Sequence, residues 1–361
     1  MIQRTFHPIG QGAFYSEKHK DFNIVFDCGN WKDANSVNKV IKNSFNTGED
    51  IDILFVSHFD YDHVNKIDIL KSNFHIKRVV LPLLHENEKN FLIRFYDKLG
   101  FNNITQLIRD PIEFFGDETI ILRVKISENN YETNDEATIE IDDLNESMEI
   151  NGGTILKIGY WAFIPYNIEY NLRKKKLEKG FEKLGLDINE FKDDLNYSID
   201  NRKAIQKVYD SLKGGINKNS MMLYSGPAES NQKKYILHTM FSNIFNNLER
   251  CCYPRYRYKY IYNKVGCVYT GDANLNESKL NIIFKKYWDR IGTVQIPHHG
   301  EMDSFDLNLL SDNQFICPIS VGRNNTYGHP SGILLSDIYL NNSIPILVTE
   351  NYKSMFIQII I

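Results

Sequence analysis

The stretch Ile53-Leu54-Phe55-Val56-Ser57-His58-Phe59-Asp60-Tyr61-Asp62-His63 decides how this chain is read. Its first four residues form a short apolar run of the kind buried on both faces of a sheet. The next seven set four metal-ligating side chains, His58, Asp60, Asp62 and His63, close together at the strand's end. Where a buried strand opens into a loop, side chains two apart can face one point while the next pair turns to a second. Four such groups in a buried place repel one another and are poorly solvated without a cation. The stretch therefore predicts a metal centre, with His58 and Asp60 on one ion and Asp62 and His63 on another.

Outward from it, the same joint of apolar strand and polar loop recurs. Ile24-Val25-Phe26 runs into Asp27-Cys28-Gly29. Cys267-Val268-Tyr269-Thr270-Gly271-Asp272 delivers a carboxylate just after a glycine, where it can bridge two cations. Val294-Gln295-Ile296-Pro297-His298-His299-Gly300 brings a strand to paired histidines, and Tyr327-Gly328-His329-Pro330 sets His329 in a glycine-flanked loop before a helix. The alternation of such strands with helix-period segments predicts a mixed α/β fold.

The balance of charge narrows the partners. With 42 Lys and Arg against 46 Asp and Glu in 361 residues, the net charge of -4 excludes a generally basic nucleic-acid coat protein. A polyanionic substrate must be held locally. The apolar runs are far shorter than the roughly 20 residues that span a bilayer, and no secretory signal opens the sequence. No membrane association and a cytoplasmic location are expected. Five cysteines without CxxC spacing argue against a disulfide framework or a zinc ribbon and suggest buried free thiols.

No repeat or linker rich in Gly, Pro and Ser marks a boundary, so residues 1–361 are expected to form a single domain. Within it, Thr133 to Glu149 reads as a solvated acidic hairpin, and 166–212 as a helical insertion with a lysine-rich face. Arg255-Tyr256-Arg257-Tyr258-Lys259-Tyr260 alternates cation and aromatic at period two. That pattern fits an edge strand with tyrosines inward, or a ribbon contacting phosphates beside the Asp272 strand.

Taken together, these segments resemble the metallo-β-lactamase-fold hydrolases, and within them the branch found as the soluble domain of the DNA-uptake competence channel. His58-x-Asp60-x-Asp62-His63 is similar to the HxHxDH metal motif in that branch's HxDxDH form. Gly10-Gln11-Gly12, Phe26-Asp27-Cys28-Gly29, Asn217-Lys218-Asn219-Ser220, Thr270-Gly271-Asp272, Pro297-His298-His299-Gly300 and the blocks from Ser320 to Pro330 resemble its other motifs, in order along the chain. Asn65-Lys66 stands where paired glycines are usual, Ala13 where an acidic residue is common, and the segment from His63 to Asn219 is longer than usual.

The resemblance implies an α/β fold, a four-layer αββα sandwich with its site at one edge of two sheets. It assigns His58 and Asp60 to a first metal, Asp62 and His63 to a second, Asp272 as bridge, and His298 or His299 to complete the second site. Asp62, Asp272 and His329 become the catalytic set, with His329 on the leaving-group side. Asn219, Ser220, Arg255, Arg257, Lys259 and Tyr327 become substrate contacts. The cofactors implied are two divalent ions, Zn2+ or Mn2+, because Asp60 in place of an imidazole hardens the site. The implied activity is a metal-dependent hydrolase, foremost a phosphodiesterase or nuclease using a metal-bridging hydroxide on nucleic acid or a nucleotide. A hydrolase of a lactone, thioester or other acyl bond, or a binding or sensor protein that retains the metals, is the alternative.

Overall fold

The computed structural model describes residues 1–32, 35–127, 137–187, 203, 204, 207, 217, 219–230, 236–240, 263–276, 279–311, 313–326 and 328–361. Period-two alternation is what stacks its layers. In the strand Asn23–Asn30, Ile24 and Phe26 face one side and Val25 the other, and in Ile53–Phe55 the same division falls between Ile53 with Phe55 and Leu54. Both faces are covered, which explains the unbroken apolar runs of the parallel strands.

Among the described residues, nine strands form one sheet in the order Ile236–Met240, Phe356–Ile360, Ile2–Phe6, Gly12–Lys18, Asn23–Asn30, Ile53–Phe55, Arg78–Pro82, Ile120–Val124 and Met148–Ile150. From Asn23–Asn30 onward the neighbours are parallel, and before it antiparallel. The second sheet has eight strands, in the order Ile344–Val348, Ile316–Ser320, Ile291–Val294, Gly266–Tyr269, Asn219–Pro227, Trp161–Glu169, Ile155–Ile158 and Thr138–Glu140.

Phe26, Phe55 and Val80 of the first sheet meet Phe163, Leu223 and Tyr269 of the second in the inner core. Val25, Leu54 and Val79 pack outward against the helices Asn35–Lys42, Ile67–Asn73, Glu86–Leu99 and Asn102–Arg109. On the far side Ile164, Met222 and Val268 pack beneath Leu280–Ile283 and Gly332–Leu340. The result is the expected αββα order of layers. One ion pair runs through the inner core: Arg4 Nε lies 2.6 Å from Glu17 Oε1, both buried. Tyr269 and Ser225 of the opposite sheet donate hydroxyls to the same carboxylate.

Two segments differ from expectation. The acidic stretch is not a hairpin: Thr138–Glu140 joins the eight-stranded sheet and Met148–Ile150 the nine-stranded one. Ile141 and Leu144 between them are drawn into the inner core, which separates the two strands, while the acidic side chains around them stay exposed. The helix expected from Tyr166 begins at Asn171, because residues 166–169 complete a strand paired with Asn219–Met222. Asn167 there is buried and donates to the carbonyls of Leu83 and Val124, fastening one sheet to the other. The rest of the proposed insertion beyond residue 187 lies almost wholly outside the described residues, as do Arg255, Arg257 and Lys259. Cys28, Cys267 and Cys317 are buried free thiols. No helix among the described residues is long and apolar enough to cross a membrane.

Candidate metal centre

Ser57 comes just past the strand Ile53–Phe55 and Val56, and it organises the motif from its first residue. Its amide donates to Asp27 Oδ1 at 2.7 Å and its hydroxyl to Asp27 Oδ2 at 2.6 Å. That hydroxyl has one hydrogen, already given to Asp27, so at 2.8 Å from Nδ1 of His58 it accepts, and the His58 proton sits on Nδ1. Asp27 Oδ2 also lies 2.8 Å from Nδ1 of His63 and fixes the proton there in the same way. Asp27 reaches both partners from left-handed backbone, at φ 56.

The next turn, Tyr61–Val64, carries Asp62 and His63 and rests directly on the strand Asn23–Asn30. The contact tolerates no side chain at Gly29, where a Cβ would lie 2.5 Å from the backbone carbonyl of Asp62 and from the backbone carbon of His63. Asn65, in place of the expected glycine, accepts from the amide of Asn30 at 2.9 Å and donates to its carbonyl. The chain then enters the helix Ile67–Asn73 instead of a glycine loop.

Asp272 comes from beyond the strand Gly266–Tyr269, with its amide held by Ser220 Oγ at 3.2 Å. Its Oδ1 is 3.3 Å from Nε2 of His63 and its Oδ2 is 3.7 Å from Nε2 of His58. The paired histidines diverge because both adopt left-handed backbone, at φ 49 and φ 56. His299 Nδ1 lies 2.9 Å from the carbonyl of Ser320, to which it must donate, and its Nε2 lies 2.9 Å from Asp62 Oδ2. His298 instead places Nδ1 2.9 Å from Glu301 Oε2 and Nε2 3.9 Å from Asp272 Oδ2.

Two groups of side chains can therefore hold cations: His58, His63 and Asp272 in one, and Asp62, His63 and His299 in the other. They adjoin through His63. Asp60 Oδ2 stands 3.3 Å from Nε2 of His58, beside the first group.

The electrostatics fit a bound cation. Three imidazoles have their Nδ1 proton committed, so each presents the Nε2 lone pair to a carboxylate oxygen. Lone pair against lone pair at such distances is stable only with a proton or a metal ion between them. Nε2 of His58 and of His63 are buried and make no hydrogen bond among the described residues. The carboxylates also strengthen the hold of these imidazoles on protons. Burial lowers the affinity of His63 for a proton, but Asp272 and Asp27 outweigh it and hold its pKa well above the usual imidazole value. His299 is raised likewise, burial being overcome by Asp62. Burial would raise the Asp272 carboxyl, yet His298, His63 and His58 keep it well below the usual range. Asp62 is lowered too, against its burial, by His299 and His63. Cations and imidazolium protons compete for the same positions.

Other expected residues lie near this cluster. Asn219 and Ser220 are buried, with the Asn219 amide on Asn167 and the Ser220 hydroxyl on the Asp272 amide. His329 stacks obliquely with His298 at 6.0 Å between ring centroids, and Asn325 bonds both its amide and its carbonyl. Tyr327 lies outside the described residues. The sequence reading did not single out the orienting parts of Asp27 and Ser57, the Glu301 partner of His298, or Tyr96, whose hydroxyl lies 3.2 Å from Asp60 Oδ1. Asp27 had a signal, a carboxylate at a strand end before glycine. Tyr96 had none.

Residues 13–140 match the family model of the metallo-beta-lactamase superfamily. The fold is of the metallo-β-lactamase type. Solved structures similar to the chain include the metallo-beta-lactamase fold protein YhfI from Bacillus subtilis, at 8% identity and a TM-score of 0.42 over 99% of this chain and 100% of that one. A protein of unknown function from Enterococcus faecalis V583 matches at 11% identity and a TM-score of 0.25, over 96% and 88%. At those TM-scores neither likeness bears on what the chain does. No curated protein matches the chain.

Proposed function

We propose that this chain is a dinuclear metal-dependent phosphodiesterase acting on nucleic acid or a nucleotide, as the HxDxDH form of its motif suggests. The observation that carries the dinuclear reading is the set of three buried imidazoles, each with Nδ1 committed and Nε2 turned to a carboxylate. His58, Asp60 and Asp272 would hold the first ion, and Asp62, His63 and His299 the second, with Asp272 adjoining both groups. His299 rather than His298 takes the second site, since its Nε2 faces Asp62. When bound, two divalent ions supply an ionised water at neutral pH and stabilise the negative charge that develops on the substrate. Three carboxylates harden the site, so manganese competes with zinc.

The protein's own groups do the rest. Asp27 and Ser57 hold the two motif imidazoles in the tautomer that presents Nε2. Glu301 turns His298 toward Asp272, and His329, whose ring lies beside that of His298, would hand a proton to the departing oxygen. Arg255, Arg257 and Lys259 are proposed phosphate contacts.

Elemental analysis of protein purified without chelator should find close to two transition-metal ions per chain. Asp62→Ala and Asp272→Ala should each abolish turnover and lower metal occupancy; near-wild-type rates in either, with metal in excess, would sink the ligand assignment. Single-stranded DNA, RNA, cyclic dinucleotides and acyl lactones, each assayed with zinc and with manganese, decide the substrate. Turnover of the lactones alone would replace the phosphodiester reading with an acyl one, and turnover of none would favour a sensor.

A further inference from the structure

The carboxylate of Asp60 is held from outside its own motif. Its Oδ1 accepts from the Tyr96 hydroxyl at 3.2 Å and from the Asn217 amide at 3.1 Å, while Oδ2 lies 3.3 Å from Nε2 of His58. Tyr96 is buried in the helix Glu86–Leu99 beside Phe91, Leu92 and Phe95, where a phenylalanine would pack as well. A buried phenol needs an acceptor for its proton. Here the acceptor is a carboxylate at the edge of the metal centre.

We propose that Tyr96 is a positioning residue for one cation alone, the ion that Asp60 holds. The inference rests on the dinuclear reading above. Two donors on Oδ1 fix the rotation of the carboxylate and engage that oxygen, so Oδ2 is the oxygen that Asp60 would offer to an ion. Such outer partners are worth about 10- to 100-fold in metal affinity. Among the described residues no hydroxyl donates to Asp62, so the effect does not extend to the second ion. Tyr96 thereby makes the two ions unequal and ties the first to the helix Glu86–Leu99.

The test is a zinc titration of metal-free protein against a chromophoric chelator, with melting temperature measured alongside. Wild type should take up two ions; fewer than two would overturn the dinuclear reading and this inference with it. In Tyr96→Phe one binding step should weaken about 10-fold while the other stays within about twofold, and the metal-free melting temperature should hold. In an Asp60→Asn background, adding Tyr96→Phe should change neither step. Two ions bound by wild type but both steps unmoved in Tyr96→Phe would overturn the positioning role alone. Equal weakening of both steps together with a lower melting temperature would overturn it in favour of packing. A further loss in the Asp60→Asn background would show that Tyr96 acts through another residue.

Discussion

His63 and Asp27 are joined at 2.8 Å, Nδ1 to Oδ2, by a carboxylate that already takes both protons Ser57 can offer. The bond sets which imidazole nitrogen faces the cluster. In Asp27→Asn the carbonyl oxygen keeps the Ser57 amide, and the new amide group faces His63, which pushes the imidazole proton to Nε2. Metal affinity should fall about 10- to 100-fold. Nitrogen NMR of the His63 ring should report loss of the proton from Nδ1; a proton retained there together with unchanged affinity would contradict the mechanism.

Gly29→Ala tests the seat of the motif. The added carbon meets backbone atoms of Asp62 and His63, which cannot swing aside as a side chain can. Overpacking of this kind costs about 1–3 kcal/mol, and here the displaced atoms carry ligands. Metal occupancy should drop along with stability. Gly332→Ala, where a Cβ meets nothing within 4 Å, serves as the control and should leave both unchanged.

Acid should weaken the inner core through Glu17. Burial alone would raise its carboxyl, but the Arg4 guanidinium, with help from His19, outweighs burial and brings it to about 2 from 4.5. A lowered folded-state pKa means stability that is complete above 4.5 and is lost as pH falls toward 2. At about 1.4 kcal/mol per unit, the loss is on the order of 3 kcal/mol. Denaturant unfolding of metal-free protein at pH 6, 4.5 and 3 should show the gap between wild type and Glu17→Gln narrowing as pH falls. A constant gap would mean that the pair does not titrate with folding.

If His329 protonates the leaving oxygen, its loss matters only when that oxygen leaves poorly. His329→Ala should slow an unactivated phosphodiester about 10²-fold or more and barely affect a nitrophenyl diester. Equal slowing of both, with metal content intact, would exclude the acid role.

Much of this was legible in the sequence, and the reason is local. His58, Asp60, Asp62 and His63 come after one apolar run, and Asp272 and His299 each after another, so strand ends advertise the site. The alternation at Ile24, Val25 and Phe26 likewise gives away two covered faces. Tyr96 was not legible, because on a helix among Phe91, Leu92 and Phe95 its spacing is that of core. Nor was the parting of Thr138–Glu140 from Met148–Ile150, which depends on where Ile141 and Leu144 are buried and not on the charges around them. His298 and His299 were indistinguishable until their backbone showed which ring turns to Asp62.

The strand Phe356–Ile360 lies between Ile2–Phe6 and Ile236–Met240, with Ile360 opposite both Ile2 and Ile236. A ribosome makes the first of these strands long before the last. Until then Ile2–Phe6 can close only on Gly12–Lys18, and among the described residues Ile236–Met240 has no other neighbour in the sheet. Pairings so distant in sequence form slowly, and an unfilled slot between two strands is an invitation to a foreign strand. From the making of Ile236–Met240 until Phe356–Ile360 follows it, that slot stands open, and a chain cut short before Phe356 never fills it.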